Sequence, residues 1–543
     1  MSWLRLVKLL VLLAIVESYH LGLTYTSSYG KMALQLIQWN ILTFKMGISS
    51  FVLKILSREF VKKNLINKSH AIEHQEKFFK KILTNGSNSL FAKNIGIKAN
   101  YNYNEFNERV SVSNYEDYRD YISLISHGKK NILTHGSPKY FAITSGTTSG
   151  TKYIPLTHGM WKFQSQAIRE LLLLYAHQTN NYNYVGAGMM FIQGSPALEY
   201  LNKMPFGKLS GIAARHIPFF LKKNRFPSMK TNSISPWEKK INAIVEETWN
   251  KDMQIVGGIP PWVITYFNSL LSFTNENNVT NVFPNLKLYI HGGTSFQSYK
   301  QTIINLCGNI NTLEVYPASE GFFGYQDDLS DPSLLLLTNH GVFYEFISLE
   351  NFKKNKMYRI PLEGVVINTD YVMIISTIAG LWAYNTGDTI RFVSTNPYRI
   401  IFSGRASQYC SAFGEHVIEK EVQTALDLAL KKHGGQVYEF SVCPKIGGGD
   451  GVSRHEWFIE FSELPTDNLL DFEITLNSAL KKQNIYYCDL INSKVINPLS
   501  VFVVKVGGFD AYMKSIGKFG GQNKCPHLLN DRRIAEFILN KYV

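Results

Sequence analysis

Residue types capable of chemistry are concentrated in four short stretches. Residues 144–151 read TSGTTSGT and run directly into Lys152. Gly146 and Gly150 permit backbone angles and close approaches that other residues forbid. Ser145, Thr147, Thr148, Ser149 and Thr151 add hydroxyl groups beside exposed backbone N–H groups. Such a loop suits phosphate oxygens. It is not a Walker loop, because three residues rather than four separate Gly146 from Gly150, Tyr153 follows Lys152, and a strand rather than a helix comes next. A polar hairpin turn accounts for the same residues equally well.

Residues 314–326, EVYPASEGFFGYQ, put Glu320 in a loop after an apolar strand, beside Tyr316, Phe322, Phe323 and Tyr325. A carboxylate there can take Mg2+ while a ring covers a purine; a surface turn with core aromatics is the plainer alternative. Residues 381–392, LWAYNTGDTIRF, place Asp388 in an expected Gly-Asp turn, where two acceptor oxygens can take both hydroxyls of a ribose. Gly-Asp turns are common, so this motif alone is weak. Residues 517–532, GKFGGQNKCPHLLNDR, form a glycine-rich basic segment carrying Lys518 and Lys524.

The elements that would position these groups follow from periodicity. Apolar residues recur at helical spacing over 72–83, 160–175, 237–250, 262–273, 419–432 and 469–482. A shorter helix is expected over 112–122, with the Ser113–Glu116 stretch as its cap. Strand-like runs lie at 140–143, 153–156, 254–256, 286–290, 312–316, 342–347 and 372–376, and again at 438–443, 457–461 and 501–506. The mixture implies α/β layers followed by a compact α+β unit of about 140 residues. The expected division is a leader over 1–50, a large domain over 51–402 and a smaller domain over 403–543.

Composition bounds the partners. The 543 residues are 45% hydrophobic and 18% charged, which excludes a disordered chain and a small stapled scaffold. The net charge of +14 favours anionic partners without choosing among nucleotide, acidic metabolite, membrane surface and nucleic acid. Cys307, Cys410, Cys443, Cys488 and Cys525 form no C-x-x-C pair, so they read as reduced, mostly buried thiols. The 14 histidines show no metal-ligand spacing. The first sixteen residues, MSWLRLVKLLVLLAIV, are apolar with Arg5 and Lys8 near the start, but the core from Leu9 to Val16 is too short for a span. A misassigned start codon, with Met32 or Met46 as alternatives, an interfacial helix and a signal peptide remain open. The expected location is cytoplasmic, any membrane contact being confined to this leader.

Taken together and in this order, the four stretches resemble the adenylate-forming superfamily, and within it the auxin-responsive acyl-acid amido synthetases of plants and their bacterial relatives. The resemblance rests on TSGTTSGTKYIPLT (144–157), VGGIPPWV (256–263), NLKLYIHGGTSF (285–296), YPASEGFFGYQD (316–327) and the 517–532 tail, and it covers about residue 72 to the end. It implies an α/β fold with a large adenylate-forming N-terminal domain of mixed sheets and helices and a smaller, mobile α+β C-terminal domain. By that similarity residues 145–151 would grip the ATP phosphates, Glu320 would sit at the Mg2+ and nucleotide position, and Asp388 would hold the ribose. Gly292 and Tyr316 would line the adenine pocket, Arg405 would stand at the hinge beside Gly404, and Lys524 would be carried to the α-phosphate by the moving domain. His527 departs from the plant pattern, where an arginine is common, so Lys518 stays an alternative to Lys524.

The implied reaction is adenylation of a carboxylic acid with ATP and Mg2+, then transfer of the acyl group to an amine, as in amino acid conjugation, by a monomeric enzyme with no nucleic-acid partner. A carboxylate needs such activation because oxide is a prohibitive leaving group. In-line attack on the α-phosphorus is served mainly by positioning and charge stabilisation, for which Thr147, Thr148, Ser149 and Lys152 are suited. Two alternatives stand beside this reading: the same adenylation with a thiol such as coenzyme A as acceptor, and a non-catalytic basic protein binding nucleic acid or a membrane surface. The acid pocket is expected among residues 171–220 and 259–267.

Overall fold

The computed structural model describes residues 50–64, 68–145, 151–217, 223–234, 237–293, 296, 299–405, 409–415, 417–447, 451–516 and 525–543. The leader 1–49, the loop residues Gly146, Thr147, Thr148, Ser149 and Gly150, and both Lys518 and Lys524 lie outside the described residues. Among the described residues no helix is long and apolar enough to cross a membrane.

The first helix, α1 (Ala71–Gly86), buries Phe78, Phe79, Ile82 and Leu83 along one stripe. Its last residue has to be glycine, since a Cβ at Gly86 would stand 2.2 Å from the indole of Trp382. Strands β1 (Tyr140–Ser145) and β2 (Thr151–Leu156) pair antiparallel without a break, from Tyr140↔Leu156 to Ser145↔Thr151. The hydroxyl-and-glycine segment therefore joins two paired strands. Helix α2 (His158–Thr179) follows at once, begun by the Thr157 side chain, which accepts from Met160 N–H.

Next come β3 (Gly188–Phe191), β4 (Glu199–Leu201), β5 (Met204–Lys208), β6 (Arg225–Phe226), α3 (Trp237–Thr248), β7 (Met253–Gly257) and α4 (Pro260–Thr274), then β8 (Leu288–His291) and β9 (Asn311–Pro317). Strands β1 and β5 run parallel, and with β2 and β4 they make a four-stranded sheet. Strands β6, β3, β7, β8 and β9 form a parallel half-sheet. Its two faces carry separate cores. Leu288, Ile290, Leu313 and Val315 pack with Leu171 and Leu174 of α2, while Met190, Val256 and Tyr289 pack with Ile241 of α3 and Tyr266 and Phe267 of α4.

Strand β9 is the seam of the molecule. On its other side it pairs antiparallel with β10 (Phe322–Tyr325), and the same sheet continues through β11 (Leu334–Leu336), β16 (Tyr398–Arg405), β15 (Tyr384–Thr395), β14 (Asp370–Thr377), β12 (Val342–Ser348) and β13 (Ile360–Pro361). One twelve-stranded sheet thus joins five parallel strands to seven antiparallel ones. Ligands of open parallel sheets sit beyond the carboxyl ends of the strands where strand order changes, so the end of β9 is the place to look.

After β16 the chain makes a short hairpin, β17 (Tyr409–Cys410) with β18 (Val417–Ile418), then α5 (Glu419–His433), β19 (Gln436–Lys445), β20 (Arg454–Glu463), α6 (Leu469–Gln483), α7 (Ile485–Asn492) and β21 (Ser500–Val503). The strand order is β19-β20-β21, and the core is built on Trp457, Phe472 and Leu476.

The turn expected at Asp388 is absent, whereas the capped short helix expected over 112–122 is present, as a 3-10 turn, Tyr115–Tyr118, leading into a helix at Arg119–Ser126. Its cap is made by Asn114, whose N–H donates to Asp117 at 2.8 Å. Ser113 is drawn away from capping because its hydroxyl donates to Trp382 C=O at 2.7 Å. Asp388 is not in a turn between strands: β15 runs through it, and Gly387, at φ 78°, absorbs the irregularity instead.

Candidate active site

A cleft of about 1210 Å³ opens at the carboxyl end of β9. Its walls include the ends of β1, β7, β8 and β9, the paired strands β15 and β16, and, from the carboxyl-terminal unit, residues 411–414 with Tyr486, Asp489 and Leu490. It lies where the two halves of the chain meet.

Lys152, Gly292, Tyr316, Glu320 and Asp388 all line this cleft, together with Thr144 at the loop's entry. Asp388 is 7% exposed and accepts a 2.6 Å hydrogen bond from the Tyr316 hydroxyl. Its backbone stands opposite Arg405 on β16, two residues that the sequence separates by a hairpin. Tyr316 is set edge-on between Phe323 and Phe402, with centroids 5.2 and 5.9 Å away, so its ring is rigidly held at the seam. Glu320 is half-buried in the tight turn between β9 and β10, closed by Ala318 N–H donating to Gly321 C=O at 2.8 Å. Phe322 and Tyr325 are buried in the sheet and leave Tyr316 and Phe323 as the rings that face the cleft.

Gly292 is a close approach: a Cβ there would lie 2.3 Å from Val315 C=O, so only glycine lets the chain leave β8 flush against β9. Lys152 is 7% exposed. Its ammonium stands 3.4 Å from the Tyr384 hydroxyl and about 6 Å from the ring centroids of Tyr115 and Tyr384. This places a positive charge beside the loop between β1 and β2, held against two aromatic faces. Thr151 pairs with Ser145 at the hairpin's end and is not among the residues lining the cleft. Gly404 has φ 135°, a glycine conformation one residue before β16 ends.

Sequence reasoning missed several lining groups. Thr312 and Glu314 alternate along β9 toward the cleft in step with the expected Tyr316, while Leu313 and Val315 enter the opposite core. That period-two pattern was the available signal. Burial pushes the Glu314 carboxyl up to about 7. His291, opposite Glu314 in the β8–β9 pairing, stacks on Phe296 at 3.8 Å, and burial pushes its imidazole down to about 3, so it is a neutral ring. Of the segments expected to hold an acid, Phe191, Ile192, Gln193, Gly194, Leu209, Ile259 and Trp262 line the cleft, whereas Leu171, Tyr266 and Phe267 belong to the cores.

Glu320 brings a carboxylate to the cleft beside Asp388, the ligand type that Mg2+ takes beside phosphates, although among the described residues no three acidic groups of the cleft converge on one point. The carboxyl-terminal tail is anchored next to it: His527 stands between Glu419 and Glu439 at 2.8 and 2.9 Å, and the hydrogen bond to Glu439 raises its pKa. Among the described residues, Cys410, Glu415 and His455 do converge within 4.8 Å of one another, wholly buried in the smaller unit. The His455 imidazole lies 2.8 Å from the Glu415 carboxylate, a hydrogen bond that lowers the Glu415 pKa against the burial that would raise it.

Three family domains match the chain: the GH3 family N-terminal domain over residues 63–243, the GH3 family central domain over 335–405 and the GH3 family C-terminal domain over 420–533. The indole-3-acetic acid-amido synthetase GH3.3 of Arabidopsis thaliana is 25% identical over 284 residues, 49% of this chain and 48% of that protein. The indole-3-acetic acid-amido synthetase GH3.4 of the same plant is 22% identical over 561 residues, 86% of this chain and 91% of that one. The chain thus spans about half the length of the first relative and about nine-tenths of the second. The solved GH3.15 acyl acid amido synthetase has a TM-score of 0.54 at 16% identity, covering 89% of this chain and 96% of that structure, a likeness of fold.

Proposed function

Because this chain belongs to the GH3 family, we propose that it is an acyl-acid amido synthetase, a ligase that adenylates a carboxylic acid with ATP and passes the acyl group to an amine. The observation that carries this reading is the convergence of Lys152, Tyr316, Glu320 and Asp388, from four separate elements, on one cleft at the seam strand.

In the first step a carboxylate oxygen of the acid attacks the α-phosphorus, the bond to the bridging oxygen breaks, and pyrophosphate leaves. The chain's part is to hold the nucleotide in line. Asp388, oriented by the Tyr316 hydroxyl, takes the ribose hydroxyls, and the Tyr316 ring, backed by Phe323, borders the base. Gly292 leaves room for that base against β8 and β9. The loop from Ser145 to Thr151 takes the phosphates with Lys152 beside it, and the charge on the leaving oxygens is met by fixed donors rather than by water that must reorganise. Mg2+ neutralises phosphate charge when bound; Glu320 is the residue that would hold it. Lys524 is assigned to the α-phosphate and Arg405 with Gly404 to the hinge, with residues 403–543 moving against 51–402.

In the second step the neutral amine attacks the acyl carbon, the carbon–oxygen bond to AMP breaks, and the amine gives up a proton. The apolar wall of Phe191, Ile192, Ile259 and Trp262 takes the body of the acid.

The test is acid-dependent ATP/pyrophosphate exchange over a panel of organic acids, with products identified by mass. Asp388→Ala loses two charge-assisted hydrogen bonds to the ribose, so exchange should fall at least roughly 100-fold while the fold persists. Undiminished exchange would remove Asp388 from the site, and a thioester product in place of an amide would replace the amine by a thiol.

A further inference from the structure

The cleft holds a basic group that adenylation does not use. Lys208, the last residue of β5, lines the cleft beside Gly194 and Leu209, at the junction with the carboxyl-terminal unit. Its side chain is threaded past Gly194: a Cβ there would stand 2.9 Å from Lys208 Cδ and 3.3 Å from Ser210 Oγ, which accepts from Gly194 N–H at 3.1 Å. The ammonium comes to rest 5.3 Å from the Tyr486 ring centroid and forms an ion pair with Asp489, both on α7. Just behind this wall, Lys240 of α3 is 4% exposed and donates to Gln193 C=O at 2.9 Å. Burial, followed by the charge of Lys208, pushes Lys240 down to about 8. Lys208 thus presents its ammonium at the cleft wall with Lys240 buried behind it, and one protein carboxylate has been brought there from the other half of the chain.

We propose that Lys208 is the recognition site for the carboxylate of an α-amino acid acceptor, and that Asp489 stands in for that carboxylate in the conformation seen here.

The acid being activated cannot be the group read at Lys208 through its reacting carboxylate, because that carboxylate belongs at the α-phosphate on the Lys152 side of the cleft. A second carboxylate is what distinguishes an amino acid from a simple amine. The Lys208–Asp489 pair is 24% and 41% exposed at its two side chains, and ion pairs this open contribute only about 0–1 kcal/mol. An incoming carboxylate can displace Asp489 at little cost, and Lys240 keeps the spot electropositive throughout. Because Asp489 rides on α7, the exchange ties acceptor entry to release of that helix from β5. Lys240, acting through Gln193 and through its charge, is a positioning residue.

This inference rests on the ligase reading and is tested in the full-length enzyme with two acceptors, an α-amino acid and its uncharged carboxamide, alongside pyrophosphate exchange measured without acceptor. Lys208→Gln should raise the KM for the amino acid at least about ten-fold, the usual worth of a hydrogen bond to a charged group, with the carboxamide KM and both kcat values little changed. Lys208→Arg should keep the preference for the amino acid, and Asp489→Asn should lower the amino acid KM several-fold by removing the competitor. Equal effects on both acceptors, or loss of exchange in Lys208→Gln, would overturn the assignment. A parent enzyme that shows no exchange would bring down the ligase reading itself, whereas normal exchange with an unaltered KM ratio would remove Lys208 alone.

Discussion

Glu314 has a price in stability that can be measured. Burial raises its carboxyl from an ordinary 4.5 to about 7, so the folded chain holds this proton more tightly than the unfolded chain does. Between those values the unfolded state is the one that releases the proton, and stability falls as pH rises. Glu314→Gln should therefore raise the melting temperature more at pH 8 than at pH 5. The difference should correspond to at most roughly 3 kcal/mol from a shift of this size. Equal gains at both pH values would show that the carboxylate is not strained by burial. Asp388, Glu320 and Lys152 were legible because each sits in a short motif whose chemistry is local. Glu314 and Lys208 were not: a lone acid in an apolar strand and a lysine at a strand end acquire a role only from what is packed around them.

Among the elements, β9 does most to build the site, since its outward residues line the cleft and its inward ones complete a core. Two glycine substitutions separate site from scaffold. Gly292→Ala forces a Cβ to within 2.3 Å of Val315 C=O and must part β8 from β9 where the base would lie. Gly86→Ala drives a Cβ into Trp382, remote from the cleft, at 2.2 Å. Each should cost about 1–3 kcal/mol of stability, read as a lower melting temperature. Only Gly292→Ala should also raise the KM for ATP in exchange, and a KM change of the same size in Gly86→Ala would refute the distinction. Helix and strand periods located the long helices and ten of the twenty-one described strands, because apolar spacing is imposed by the face that each buries. The expected turn at Asp388 failed because the left-handed Gly387 lets β15 run on through it, which pairing with its neighbouring strands decides.

Across the whole molecule, the polar contacts between described residues that join the two halves at the cleft include three that can be probed singly. The Tyr486 hydroxyl donates to Ile143 C=O at 3.0 Å, the Tyr299 hydroxyl donates to Ala412 C=O at 2.5 Å, and Lys208 pairs with Asp489. Tyr486 touches β1, the strand that leads into the hydroxyl-and-glycine loop, so docking of α7 is coupled to β1 through this side chain. Tyr486→Phe removes a hydrogen bond worth about 1 kcal/mol. It should accelerate amide hydrogen exchange of residues 485–492 about five-fold while the melting temperature stays within a few degrees, and unchanged exchange there would sever the coupling. Legible in the chain alone were the long helices, ten of the twenty-one described strands, the hairpin that carries the hydroxyl-and-glycine loop, and the resemblance that the family domains bear out, since all of these depend on short-range spacing. Tertiary structure alone decided that Asp388 lies opposite Arg405, that Cys410, Glu415 and His455 meet in a buried cluster, and that Lys208 faces Asp489 across 281 residues of chain. Such meetings depend on how whole sheets and helices bury their apolar faces against one another, and no local pattern encodes that packing.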